Sequence, residues 1–552
     1  MLHFSCSCLG LFFFFSLICK CSSENDTPVV TSSGPIKGKK VFTGSGPVTA
    51  YLGIPYAEPP VKKLRFQKPV PHQPWSEVLE TTSFRNSCPQ TYVSGLPDKD
   101  IWVANTLLSE DCLFLNIWVP HPQPTTPVPV LVWFQGMGFI TGTASLDIYN
   151  GAIFSATENI IVASMNYRLG ALGFLYLPPY APGNMGLWDQ HLALKWLKEN
   201  IDVFGGDPAQ LTLVGQSAGA ALVGCHLLSP LSQPLFARAV LQSGVPNAIW
   251  PWKSPQEARV DAIMVSKEVG CAKDNHSEVV SCLEKIDIGH ENFLPLTMIN
   301  SLTTDGDFLP DELPKLLETA ILQGKPILTG ITDDEGSSFT LLMYSSTKTN
   351  GGILTWEQLL QGVMGTMQRG TKKDVAESVA LKFSEASHGP ERYRLAFSQY
   401  FRDYFFVCPL AELAAKIRKA GKPVYVYSFS HHSSDSVWPE WVGTPHGAEI
   451  PYVFGTMASA LQTNRSITEA EEALSRQMMR FWAQFARTGN PTRSNSDEVQ
   501  WPVYDAIEQN FFHISTGAPQ LKQLSPTPLC DFLATLPVNA TQSKQSPENM
   551  DS

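Results

Sequence analysis

The pentapeptide Gly215-Gln216-Ser217-Ala218-Gly219 constrains this chain more than any other segment. It follows Leu211–Val214, a short apolar run of strand length, and the small residues from Ala218 onward have the character of a helix start. A serine held at a strand-to-helix turn takes a strained backbone conformation and needs small neighbours, which Gly215, Ala218 and Gly219 supply. The helix start would also aim the Ala218 N–H and the positive dipole end at negative charge developing beside the serine. A bare Gly-x-Ser-x-Gly also occurs by chance as a glycine-rich turn; strand before and helix after favour a nucleophile.

Around this turn, strand-like and helix-like segments alternate. Val130–Phe134, Ile160–Met165, Ala239–Gln242, Ile327–Ile331 and Val424–Phe429 are apolar runs of strand length. Residues 190–204 have helical spacing, with Leu192, Leu194, Trp196 and Leu197 on one side, and Leu474, Met478, Phe481, Trp482 and Phe485 mark a late amphipathic helix. Such alternation predicts a mostly parallel central sheet with helices on both faces, an α/β protein.

A serine nucleophile needs a base, and the base an orienting acid. Where the order is serine, acid, histidine, Asp333-Asp334-Glu335 offers carboxylates directly after the strand Ile327–Ile331. Five histidines follow: His388, His431, His432, His446 and His513. His446 lies between Pro445 and Gly447, in a loop beyond Val424–Phe429. Spacing alone leaves the choice among these acids and histidines open.

The compartment is legible at the start of the chain. Leu9–Ile18 is an apolar run with four consecutive Phe, followed by Lys20 and Ser22-Ser23, so residues 1–23 are expected to be a signal peptide and the protein to be secreted and extracellular. The run is too short for a permanent membrane anchor. Four of the 11 cysteines (Cys6, Cys8, Cys19 and Cys21) fall within residues 1–23, leaving Cys88, Cys112, Cys225, Cys271, Cys282, Cys408 and Cys530. That odd number suggests three disulfides and one free thiol, and Cys225, among apolar residues, reads as buried and inert. Asn25, Asn275, Asn464 and Asn539 stand in glycosylation sequons. Hydrophobic residues at 43% allow a large core, and residues 540–552 read as a disordered polar tail after one catalytic domain over 24–539. The formal charge of −11 argues against nucleic acid as a partner.

The chain resembles the type-B carboxylesterase/cholinesterase family. Phe204-Gly205-Gly206-Asp207-Pro208 leading to the Ser217 pentapeptide is similar to that family's nucleophile signature, and Glu110-Asp111-Cys112-Leu113-Phe114-Leu115-Asn116-Ile117-Trp118 to its second signature. Asp334-Glu335-Gly336-Ser337 matches the acid motif and His446-Gly447-Ala448-Glu449 the base motif. The resemblance implies an α/β-hydrolase fold and a triad of Ser217, Glu335 and His446 acting on a small-molecule ester with no cofactor and no metal. It also implies the pairs Cys88 with Cys112, Cys271 with Cys282 and Cys408 with Cys530, with Cys225 free. Arg65 with Glu110 and Arg168 with Asp189 resemble the family's internal ion pairs.

Departures from the pattern bear on activity. The oxyanion loop usually reads Gly-Gly-Gly-Phe and here is Gly136-Met137-Gly138-Phe139. Its donors would be the N–H groups of Met137, Gly138 and Ala218. If position 137 needs a positive φ, the methionine is strained; a milder outcome is a reshaped pocket. The cholinesterase branch is nearest: Trp102, ten residues before Cys112, has the spacing of a choline-binding tryptophan, Tyr149 and Glu449 match residues around that pocket, Trp250 matches an acyl-pocket tryptophan, and the aromatic Phe339 is retained. Gln216 replaces a glutamate and Ser338 an aromatic, while Leu296 and Met298 fall where acyl-pocket residues lie, an aliphatic lining like that of butyrylcholinesterases.

After Cys530 there is no further cysteine, Trp-rich tail or hydrophobic end, so no membrane anchor and a monomer or non-covalent homodimer are expected. The alternatives to a cholinesterase-like enzyme are a general carboxylesterase, a weakly active scavenger, or a binding protein of the same fold.

Overall fold

Every residue of Val128–Phe134 is buried, as a strand covered by helices on both faces requires. Its side chains alternate between two cores: Val130, Val132 and Phe134 enter one, Leu131 and Trp133 the other. Each such burial contributes about 1.5–3 kcal/mol. This strand lies near the middle of an eleven-stranded sheet in a computed structural model that describes residues 28–92, 95–288, 295–296, 299–320, 324–348, 352–367, 371–460, 466–493, 499–523 and 528–536. The expected signal peptide, the tail, Met298, Asn25, Asn464 and Asn539 lie outside the described residues.

In chain order the strands are β1 (Lys39–Thr43), β2 (Gly46–Pro55), β3 (Phe114–Pro120), β4 (Val128–Phe134), β5 (Ile161–Met165), β6 (Gly206–Gln216), β7 (Arg238–Gln242), β8 (Ile327–Thr332), β9 (Val424–Phe429), β10 (Asn510–Ile514) and β11 (Gln520–Gln523). Their order across the sheet is β11-β10-β9-β8-β7-β6-β4-β5-β3-β2-β1. The run from β10 to β5 is parallel, whereas β1, β2, β3 and β11 pair antiparallel at the two ends. The sheet is thus mostly parallel, as expected, with an antiparallel margin that the apolar runs did not reveal.

Six helices matter for the site: α1 (Met185–Asn200), α2 (Ala218–Leu228), α3 (Glu335–Met343), α4 (Arg392–Arg402), α5 (Cys408–Lys419) and α6 (Glu469–Thr488). The helix expected over 190–204 starts earlier, at Met185, and ends at Asn200 before a tighter turn over Ile201–Phe204. Helix α6 is capped reciprocally by Thr468 and Glu471 and stops at Gly489, where φ is 78°. It buries Leu474, Met478, Phe481, Trp482 and Phe485, the stripe read from the sequence. Between α4 and α5 one wide turn, Asp403–Val407, inserts an extra residue per turn.

The structure contains the disulfides Cys88–Cys112, Cys271–Cys282 and Cys408–Cys530, and Cys225 is free and buried. Arg65 bonds Glu110 at 2.7 Å, and the buried Arg168–Asp189 pair is 2.6 Å apart. Among the described residues no helix is long and apolar enough to cross a membrane.

Candidate active site

Ser217 links β6 to α2 with φ 56° and ψ −124°, a conformation costly for any residue but glycine. Two glycines permit the turn: a Cβ on Gly215 would stand 2.4 Å from Gly219, and one on Gly219 would stand 2.1 Å from the Phe134 carbonyl oxygen. The Ser217 N–H donates to the Gln242 carbonyl at the end of β7, 2.8 Å. The serine therefore stands at the carboxyl edge of the parallel strands, where open α/β sheets hold their ligands.

Asp333, Asp334 and Glu335 follow β8, and the structure separates their roles. Asp333 accepts from the Ser428 hydroxyl. Asp334 accepts from the Thr444 N–H at 2.9 Å and its own N–H donates to the Thr444 carbonyl at 3.2 Å, which ties the acid loop to the loop carrying His446. Glu335 is fully buried; its Oε1 accepts from the Thr332 N–H at 2.8 Å and its Oε2 meets Nδ1 of His446. Of the five candidate histidines, only His446 meets one of these three carboxylates among the described residues. His431 pairs with Glu471 and His513 with Ser430, while His388 and His432 are exposed.

The other imidazole nitrogen, Nε2, lies 3.1 Å from the Gln216 amide nitrogen. With Nδ1–H donating to Glu335, Nε2 is free to accept the amide N–H, which fixes the neutral tautomer a general base needs. No hydrogen bond joins Ser217 to His446 in this arrangement. Both residues open onto one cavity of about 320 Å³, the size range of small-molecule sites.

Of the expected pocket residues, Trp102, Met137, Gly138, Gln216, Trp250, Ser338 and Phe339 line this cavity. Tyr149 is buried against Trp133, ring centroids 5.1 Å apart, and Glu449 is buried beneath, bonded to Gln242 at 3.0 Å; neither lines it. Leu296 is packed into the core and is likewise not among the lining residues, so the aliphatic acyl wall read from the sequence is not formed by it. Aromatic side chains line the cavity instead: Phe401, Phe405 and Phe406 from the end of α4 and the wide turn. Phe401 stacks on Phe405 at 4.1 Å and on Phe339 at 4.6 Å, and Phe406 lies 5.0 Å from the His446 ring. The wide turn brings the consecutive Phe405 and Phe406 to the same cavity. The aromatic-rich run from Tyr400 to Phe406 was the available signal, but such a run on a helix ordinarily reads as core.

Position 137 does require a positive φ: Met137, Gly138 and Phe139 have φ of 76°, 64° and 65°. This succession aims backbone N–H groups into one concavity. Those of Met137 and Gly138 donate to no other group among the described residues, and Ala218, first in α2, has no intrahelical acceptor for its own.

Burial raises the Glu449 carboxyl to about 7, and the nearby Glu335 charge adds to this against the Gln242 amide. Its Oε2 has no hydrogen-bond partner among the described residues. No group of three or more His, Cys, Asp or Glu residues suited to a metal occurs among the described residues.

Residues 25–533 match the model of the carboxylesterase family. The chain is 40% identical to a cholinesterase of Mus musculus over 93% of this chain and 87% of that one. It is 42% identical to an acetylcholinesterase of Bungarus fasciatus over 91% of this chain and 85% of that one.

Proposed function

We propose that this chain, which belongs to the carboxylesterase family and is a carboxylic ester hydrolase of the α/β-hydrolase fold, cleaves short-chain esters, choline esters among them, through an acyl-enzyme on Ser217. The reading rests above all on one observation: the imidazole of His446, held from behind by Glu335, opens onto the same cavity as Ser217.

When an ester enters, Nε2 of His446 leaves the Gln216 amide and takes the Ser217 hydroxyl proton as Oγ attacks the carbonyl carbon. The carbonyl oxygen becomes an oxyanion that accepts from the N–H groups of Met137, Gly138 and Ala218. Collapse of the intermediate breaks the ester C–O bond, and His446 returns the proton to the leaving alcohol. Water then repeats the cycle on the acyl-enzyme, releasing the acid and restoring Ser217. Glu335 keeps Nδ1 protonated and stabilises the imidazolium formed at each step.

Trp102 in the cavity supports a choline-type alcohol by cation–π contact, while Gln216 supplies no charge to prefer it over a neutral alcohol. Three disulfides and an exposed Asn275 support an extracellular protein with one catalytic domain over 24–539. Labelling with a fluorophosphonate and mapping the adduct by mass spectrometry tests the reading. An adduct on Ser217, absent in His446→Ala, is the expected result; labelling elsewhere overturns the triad.

A further inference from the structure

No aspartate, glutamate, lysine or arginine is among the residues lining the catalytic cavity. Beyond shape, what orients an ester there is therefore the few neutral polar side chains set into an apolar wall. Most of them are committed to the protein itself. The Thr141 hydroxyl donates to Gln90 at 2.7 Å, the Trp250 indole N–H donates to the Phe405 carbonyl at 3.1 Å, and the Trp102 and Trp438 indoles hydrogen-bond Asp98. His446 is held between Glu335 and the Gln216 amide nitrogen. Apart from the nucleophile Ser217, two side-chain groups of the lining stay uncommitted among the described residues: the Ser338 hydroxyl and Oε1 of Gln216.

Ser338 differs from its neighbours on α3. The Ser337 hydroxyl donates to the Asp334 carbonyl at 2.7 Å and the Thr340 hydroxyl to the Gly336 carbonyl at 2.8 Å, so both are satisfied within their own stretch of chain. Ser338 makes no such bond, although it is only 6% exposed. Its oxygen is not sealed by the surrounding protein either, and the opening it has is the cavity it lines. A hydroxyl without a partner in an otherwise apolar wall weakens the binding of a purely apolar group and rewards one that bonds to it.

The two free groups define their complement. Oε1 of Gln216 only accepts, and the Ser338 hydroxyl both donates and accepts. A hydroxyl on the substrate answers either, whereas a quaternary ammonium, which has no N–H, answers neither. We propose that Ser338 is a specificity-determining residue of the catalytic cavity, whose hydroxyl bonds a hydroxyl group carried by a neutral ester, and that hydroxyalkyl esters are a substrate class of this site. The assignment rests on the reading of Ser217 as an esterase nucleophile.

Two matched esters test it: 2-hydroxyethyl butyrate and propyl butyrate, which differ by a hydroxyl in place of a methyl group. The ratio of their kcat/KM values should fall about 2- to 12-fold in Ser338→Ala, the loss of one neutral hydrogen bond, and should be retained in Ser338→Thr, which keeps the hydroxyl. A ratio unmoved in Ser338→Ala overturns the proposal. So does a ratio that falls as far in Ser338→Thr as in Ser338→Ala, because the hydroxyl would then be immaterial. Binding without turnover separates this result from the proposed function. N-(2-hydroxyethyl)butyramide and N-propylbutyramide resist hydrolysis, and their equilibrium affinities, followed by tryptophan fluorescence, should show the same dependence on Ser338. Amide affinities that follow Ser338 in a protein that cleaves neither ester would refute the proposed function and leave this assignment standing. Ester turnover in which Ser338→Ala moves neither ratio would do the reverse.

Discussion

The side-chain amide of Gln216 and the imidazole of His446 are in contact, Nε2 to Nε2 at 3.1 Å, so the residue beside the nucleophile engages the base before substrate arrives. A neutral donor in that place sets no charge against the imidazole. A carboxylate there would favour the protonated form, because an opposite charge within hydrogen-bonding distance stabilises a cation.

In Gln216→Glu the acid limb of the kcat/KM profile should therefore move to higher pH, and at pH 8 choline esters should gain relative to uncharged isosteres. Profiles measured with matched charged and neutral esters check both. An unmoved acid limb would mean that the contact does not influence the base.

Met137 carries a side chain at φ 76°, which costs about 1–2 kcal/mol for a residue other than glycine. Met137→Gly should raise the unfolding temperature and increase kcat towards a neutral aryl ester, since the oxyanion donors would no longer work against backbone strain. A variant that unfolds at lower temperature would show that methionine packing outweighs the strain.

Trp102→Ala should lower kcat/KM for choline esters by a further 2- to 30-fold beyond any loss on neutral esters, the equivalent of about 0.5–2 kcal/mol of cation–π attraction. Equal losses on both classes would reduce Trp102 to a wall and leave a general carboxylesterase.

Glu449 titrates at about 7 in the folded chain, raised mainly by burial, against about 4.3 when unfolded. A raised carboxyl favours folding below its unfolded value, and that advantage is lost as pH climbs through the folded value. Glu449→Gln should accordingly be more stable than the parent at pH 8, by at most about 4 kcal/mol, and not at pH 4. Unfolding temperatures at matched scan rates decide it. Equal pH dependence in both proteins would place the titration elsewhere.

The elbow, the parallel strands and α6 were readable because each is a local pattern: small residues at a turn, an unbroken apolar run, a 3.6-residue stripe. The antiparallel β2 was not, since its ten residues contain Gly46, Gly53 and two prolines and a register shift between Leu52 and Ile54. Spacing could not choose His446 over His431, because which loop returns to the elbow is a property of packing. Family resemblance supplied that choice. The aromatic wall escaped notice because Phe405 and Phe406 share one cavity only through the wide turn.

The Cys408–Cys530 bridge spans 122 positions, and His446 lies inside that loop while Ser217 and Glu335 lie outside it. Such a closure restrains the unfolded chain by roughly 4–5 kcal/mol on a chain-entropy account. It has another effect during proteolysis. A protease that cuts once between residues 409 and 529 leaves both fragments covalently joined, with the base still packed against its acid. Nicked molecules should migrate as intact protein until reduced, and they should keep hydrolysing esters while whole.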